Sequence, residues 1–231
     1  MRRIVIGDIH GCFDELQELL SLMGPTDDDE IISVGDIVDR GPNSPQVVEF
    51  FMRRKKSAVI KGNHERKHER FSMGLIRPVH FGLNQWNTVR QFAMQYPQKV
   101  SVSYDEAIEY FKTLPLFIDL PEALVVHAGV MHGIPFAKQD ERILTGAGFR
   151  KENGYDAPTG LFNWCDSYPE DAKPVIFGHL GIGKAPWNLP QRKNMWPIDM
   201  GCAGGGFLAA VTLPDFKVYT VRSRQKQWNE T

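Results

Sequence analysis

Eight side chains of the 231-residue sequence could do chemistry together: Asp8 and His10 in GDIHG, Asp36 and Asp39 in GDIVDRG, Asn63 and His64 in GNHE, His127 in VHAG and His179 in FGH. Each group closes a short apolar run, and a glycine stands beside it where the backbone must turn sharply. If the five runs are strands lying side by side, these distant residues converge on one sheet edge. Hard carboxylates mixed with imidazole suit Mn²⁺, Fe or Zn²⁺ rather than Ca²⁺ or copper. Two ions fit the donor count better than one, because a pair about 3.5–4 Å apart can share a carboxylate, lower the pKa of a bridging water and clamp a phosphoryl oxygen for in-line attack. Taken singly, each piece has a plainer reading. GDIHG can be a helix-capping turn, Asn63 a helix cap with Glu65 in its first turn, and His127 and His179 core histidines. Their joint occurrence at five strand ends favours the site.

The elements that must position these residues are legible as periodicity. RIVI reads as a buried strand, and Phe13, Leu16, Leu19, Leu20 and Met23 recur at helical spacing before a Gly24-Pro25 stop. EIISV is a second strand and PQVVEFFMRR a helix whose basic end suits its dipole. SAVI is a third strand. Strand, polar loop and helix in repetition predict an α/β fold with a parallel sheet and functional residues at the C-terminal strand ends. Residues 66–113 carry helical windows, TVRQFAMQY and DEAIEYFKTL, and read as a helical insertion over the sheet edge. LVVHAG and PVIFGH are a fourth and a fifth strand, and the tail around the glycine run 204–206 reads as an antiparallel hairpin closing a sheet.

Composition narrows the class. With 42% hydrophobic residues, 24% charged and a net charge of −1, the chain is an ordinary globular one, and no overall field recruits nucleic acid or a lipid surface. Cys12, Cys165 and Cys202 are odd in number, far apart and in no CxxC pair, which argues against a disulfide framework and a thiolate zinc site. Cys12 is expected as a small residue tucked beneath the first helix. A reducing compartment, no run approaching the roughly 20 apolar residues of a membrane span, and no apolar signal segment give a cytoplasmic expectation.

In this order, GDIHG, GDIVDRG, GNHE, VHAG and FGH resemble the motifs of the calcineurin-like metallophosphoesterases, and within them the bacterial type of the phosphoprotein phosphatase, or serine/threonine protein phosphatase, branch. The resemblance implies an αββα sandwich of two mixed β-sheets, a single domain over 1–231 with the helical insertion at about 66–113. It implies that Asp8 and His10 bind a first metal ion, that Asp36 bridges, and that Asn63, His127 and His179 bind a second, with Mn²⁺ first and Fe or Zn²⁺ as alternatives. His64 would be the general acid held by Asp39, and Arg40 the two-pronged grip on phosphate. PIDMGCAGGGFLAAV is similar to the tail hairpin of the bacterial members, which makes Asp199 a supporting carboxylate just outside the ligands. Met200 and Ala209 stand where that hairpin usually has threonine.

The activity implied is hydrolysis of phosphomonoesters, phosphoserine or phosphothreonine in proteins included, by attack of a metal-bridging hydroxide. The alternative is a symmetrical dinucleoside tetraphosphatase yielding two diphosphates. The expected partner is a phosphorylated protein or a small phosphoester, with neither stable nucleic acid nor membrane. Protein phosphatases of this branch usually offer a further arginine near a tryptophan. Here Trp164 is followed by none before His179, leaving Arg142 and Arg150 upstream. A nucleotide enzyme needs an aromatic wall beside the metals, and Phe71, Phe81, Trp86 and Phe92 are the residues available for one, against the commoner reading of them as core.

Overall fold

The structure, a computed structural model, describes residues 1–94, 100–147, 164–180 and 193–226. Its first strand, β1 (Arg3–Ile6), alternates sides as a strand must: Ile4 and Ile6 pack against the helix α1 (Phe13–Met23), while Val5 points to the opposite face. Strands buried on both faces read as continuous apolar runs, which is why RIVI and EIIS show no alternation. β2 (Glu30–Ser33) and β3 (Ser57–Val59) extend the sheet in parallel, joined through α2 (Ser44–Arg53). α3 (Asn63–Ser72), α4 (Leu83–Met94) and α5 (Tyr104–Thr113) follow.

A second sheet is built from β4 (Phe117–Asp119), β5 (Leu124–Val126), β6 (Val175–Phe177) and β7 (Met195–Pro197), paired in that order. Then β8 (Asp199–Met200), β9 (Phe207–Leu213) and β10 (Val218–Arg222) return to the first sheet, whose order is β10-β9-β1-β2-β3 with β8 on β9. Both sheets mix parallel and antiparallel pairs. Val5, Ile32, Val34 and Val211 of one meet Val125 and Ile176 of the other in a shared apolar layer. α1, α2, α4 and α5 cover the outer face of the first sheet, and Trp164, Tyr168 and Leu144 that of the second. This is the expected αββα sandwich.

Two features differ from expectation. The insertion does not lie over the sheet edge: α4 packs on α2, and α5 contributes Ala107, Ile108 and Phe111 to the same apolar cluster as α1 and α2. β4 and β7 are additional strands, three residues each and too short for a periodic signal, with Pro197 ending the second. Among the described residues no helix is long and apolar enough to cross a membrane.

Candidate active site

The loops that leave β1, β2, β3, β5 and β6 meet at one end of the sandwich. His10 N donates to Asp36 O and Gly11 N to Ile37 O, so the first two motif loops are sewn together. Glu65, in the first turn of α3, joins the third. Its Oε2 accepts from the backbone N–H of Asp36 and of Gly62, and its Oε1 from that of Ile37, all at 2.9 Å. Burial and the nearby Asp36 carboxylate push the Glu65 carboxyl up to about 7. The backbone is held tightly here. Of the six non-glycine residues with positive φ among the described residues, five are His10, Asp36, Asp39, Arg40 and His179, and left-handed backbone in non-glycine residues costs of order 1–3 kcal/mol each. Gly178 is required by proximity, since a Cβ there would lie 2.0 Å from Asp8 Oδ1.

Asp36 is the centre of the arrangement. Its Oδ2 lies 3.4 Å from His127 Nε2, 3.6 Å from His10 Nε2 and 3.8 Å from His64 Nε2. Burial alone would raise this carboxyl, but the histidines, His127 foremost, hold it well below the usual range. The converse holds at His127. Burial opposes its charging, yet Asp36 pushes the imidazole up to about 10. One ring nitrogen of His127 faces Val34 O and the other faces Asn63 Oδ1 at 3.1 Å, where His179 Nδ1 arrives at 3.0 Å. Burial, with His127 nearby, takes His179 down to about 3. His10 has the same economy: Nδ1 faces Val38 O and Nε2 meets Arg40 Nη1 at 2.7 Å. Burial and Arg40 together hold His10 well below its ordinary value.

Asp8 is buried, its carboxylate oxygens accepting from His179 N at 3.2 and 3.3 Å. Burial, and then the neighbouring Asp199, raise its carboxyl well above the usual range. Asp199 Oδ1 itself accepts from Gly201 N at 3.0 Å within the β8–β9 turn. Crowded carboxylates beside imidazoles whose second nitrogens are pinned to carbonyl oxygens form a donor set that suits divalent cations. Two groups, His10–Asp36–His64 and Asp36–His127–His179, each have their ligand atoms within 4.8 Å of one another, and Asp36 is common to both.

Two further carboxylate oxygens are fully used. Asp39 Oδ2 lies 2.6 Å from His64 Nδ1 and accepts from Gln85 Nε2 at 2.6 Å; Asp39 Oδ1 accepts from Thr88 Oγ1 at 2.6 Å and faces His68 Nε2 at 2.8 Å. His68, Gln85 and Thr88 were not among the sequence candidates. His68 and Asn63 do lie on one helix, but nothing in LNQWNTVRQ marks Gln85 and Thr88 as aimed at a residue 46 or 49 positions away. The aromatic candidates pack among the insertion's own side chains, with Trp86 keeping 41% of its surface exposed. Phe71 stacks on Phe81 at 3.8 Å, Trp86 meets both edge-on, and Phe92 packs against Tyr104. Arg142 is paired with Asp140 on the surface, and Arg150 lies outside the described residues.

A cleft of 510 Å³ opens beside Asn63, His64 and His179. Its wall is cationic: Arg40, and then Arg66, Lys67 and Arg70 of α3, with His80 also lining it. Arg70 stands at spacings of four and three from Arg66 and Lys67, so it neighbours both and the three charges extend along the helix. Arg66 also pairs with Glu141 at 3.0 Å, and Lys67 with Gln85 Oε1 at 2.9 Å.

A family model for calcineurin-like phosphoesterases matches residues 1–197. The chain is 28% identical to a bis(5'-nucleosyl)-tetraphosphatase PrpE, asymmetrical, of Halalkalibacterium halodurans, over 96% of its own length and 94% of the relative's. It is 29% identical to the protein of the same description from Oceanobacillus iheyensis, with 97% and 94% covered. A crystal structure of a candidate diadenosine tetraphosphatase superposes with a TM-score of 0.70 at 25% identity, covering 96% of this chain and 93% of that one. A protein serine/threonine phosphatase from Saccharomyces cerevisiae shares the fold, with a TM-score of 0.59 at 15% identity, covering 96% and 79%.

Proposed function

The chain belongs to the calcineurin-like phosphoesterases, and from that premise we propose that it is a metal-dependent hydrolase of dinucleoside polyphosphates, cutting a tetraphosphate asymmetrically. The observation that carries the substrate is the cationic row of α3. From His64 to Arg70 the helix rises about 9 Å at 1.5 Å per residue, so Arg66, Lys67 and Arg70 flank a length suited to a chain of phosphates rather than a single phosphate group. The relatives named as tetraphosphatases, each matched over more than nine-tenths of its length, support the same reading.

In this reading Asp8 and His10 would hold one divalent ion and Asn63, His127 and His179 the other, with Asp36 shared between them; Mn²⁺ is the first choice, with Fe or Zn²⁺ as alternatives. Such a pair supplies Lewis-acid polarisation of a phosphoryl oxygen and a water acidic enough to attack near neutral pH. The chain's own residues do the rest. Arg40, whose Nη1 lies 2.7 Å from His10 Nε2 at the mouth of the site, would grip phosphate oxygens as a planar fork. His64, aimed by Asp39 through Nδ1, presents Nε2 to the leaving oxygen as general acid. Asp199 adds negative charge beside Asp8 and strengthens the cation's hold.

The alternative of a phosphoserine or phosphothreonine substrate has support from the fold and from Arg40, but a single phosphate at the metals would not extend along Arg66, Lys67 and Arg70. Product analysis separates the readings. The Mn²⁺-loaded protein is given diadenosine tetraphosphate, a phosphothreonine peptide and para-nitrophenyl phosphate in parallel. Tri- and monophosphate products, formed much faster than phosphate is released from the peptide, are the expected outcome. Two diphosphates would overturn the asymmetrical cut, and preferential peptide turnover would overturn the nucleotide substrate.

A further inference from the structure

Sequence spacing argues against a thiolate metal site, but the fold brings together what the sequence separates. Cys12 precedes α1, Glu15 lies in the first turn of α1, and Cys202 sits in the turn between β8 and β9. The two sulfurs and a Glu15 carboxylate oxygen lie within 4.8 Å of one another. All three residues are interior, at 0%, 0% and 1% exposure. Glu15 Oε1 accepts from Arg224 N at 2.8 Å, Gln225 Nε2 at 3.2 Å and Ser223 Oγ at 3.4 Å. Its Oε2 is buried with no hydrogen-bond partner.

We propose that Cys12, Cys202 and Glu15 form a second, thiolate-containing cation site, structural in role and selective for Zn²⁺ or a similarly soft divalent ion. The unsatisfied oxygen is what chooses among the possible roles of two buried thiols in contact. A disulfide would join the sulfurs and leave Oε2 as it is; simple packing would also leave it so, a buried acceptor stripped of water with nothing in its place. A cation satisfies all three groups at once. Zn–S of about 2.3 Å and Zn–O of about 2.0–2.2 Å put tetrahedral ligand atoms roughly 3.5–3.8 Å apart, a contraction of no more than about 1 Å from the observed cluster. Ligation would displace the thiol protons to solvent. The thiolates also separate this site from the catalytic centre, whose donors are carboxylate, amide and imidazole and which favours harder ions. The ion would tie the start of α1, just after Asp8 and His10, to the hairpin that carries Asp199.

Because no sulfur lies in the catalytic centre's donor set, Co²⁺ reports on this site alone through thiolate-to-metal charge transfer. The full-length reduced protein, titrated with Co²⁺ and monitored in the near ultraviolet, should develop one equivalent of that band and lose it to Zn²⁺. The band should survive in Asp36→Asn and in Cys165→Ser and vanish in Cys12→Ala or Cys202→Ala. In Glu15→Gln, which keeps the shape, Co²⁺ affinity should fall at least tenfold. No band in the wild-type protein while all three thiols titrate as free in denaturant would overturn the proposal, as would a band unchanged in both cysteine variants. If the cysteine variants do not fold, the wild-type titration and Glu15→Gln decide alone.

Discussion

Gln85 spans two functions with one amide: its Nε2 donates to Asp39 Oδ2 at 2.6 Å while its Oε1 accepts from Lys67 Nζ at 2.9 Å. The buried carboxylate that aims His64 and the cationic wall of the cleft are thus connected through a residue of α4. Gln85→Ala should lower kcat by about tenfold, corresponding to roughly 1.4 kcal/mol of transition-state stabilisation. The loss should be largest for leaving groups that need a proton and small for para-nitrophenyl phosphate, whose leaving oxygen needs little help. An equal loss across leaving groups would assign Gln85 to stability alone.

His64→Asn should spare metal binding and lower turnover by about 10²–10⁴-fold, the range for losing a general acid. Metal content measured on the purified variant checks it, and loss of metal in parallel with activity would make His64 a ligand. Asp36→Asn should empty both positions. A variant that retains two ions would refute the shared role of Asp36.

Arg70→Ala should raise KM for diadenosine tetraphosphate by about threefold to tenfold, the effect of roughly 1 kcal/mol at a partly exposed charge, and leave KM for para-nitrophenyl phosphate unchanged. Raised salt should narrow the difference between variant and parent. If both substrates respond alike, the α3 row does not read phosphate-chain length.

Stripping the metals should abolish turnover and lower the thermal midpoint, because Asp8, Asp36 and Asp199 are then left to one another and to the histidines. An ion present at 100 times its Kd contributes about 2.7 kcal/mol per site, which for a domain of this size corresponds to a fall of about 5–10 °C per site. Calorimetry with and without chelator measures it, and an unchanged midpoint would contradict the crowding of these carboxylates as a source of instability.

How much of this was legible follows from where the signals lie. Asp8, Asp36, Asn63, His127 and His179 each terminate an apolar run, and strands pairing in order accounts for β1-β2-β3 and for β5-β6, but the two sets lie in different sheets rather than on one sheet edge, so their meeting depends on how the sheets stack. Glu65 was visible as a first-turn acid but not as the residue that pins two backbone N–H groups of the second motif loop and one of its own, since its acceptor role depends on how those loops turn. Gln85 and Thr88 were invisible, because a polar residue on a helix looks solvated until the fold shows what it faces. Cys12 and Cys202 show the same limit from the other side. Spacing rules detect metal sites built within one loop or hairpin, whereas these sulfurs meet only because β9 pairs with β1.

The left-handed backbone at His10, Asp36, Asp39, Arg40 and His179 has an evolutionary and practical consequence. Glycine would adopt each of these conformations without strain, and at Arg40, whose side chain is exposed and is no metal ligand, Arg40→Gly should gain stability while losing the grip on phosphate. A laboratory selection for thermal tolerance alone would therefore trade away the phosphate grip at Arg40 while keeping the buried positions around it, and enrichment of glycine at that one position would mark the trade-off directly.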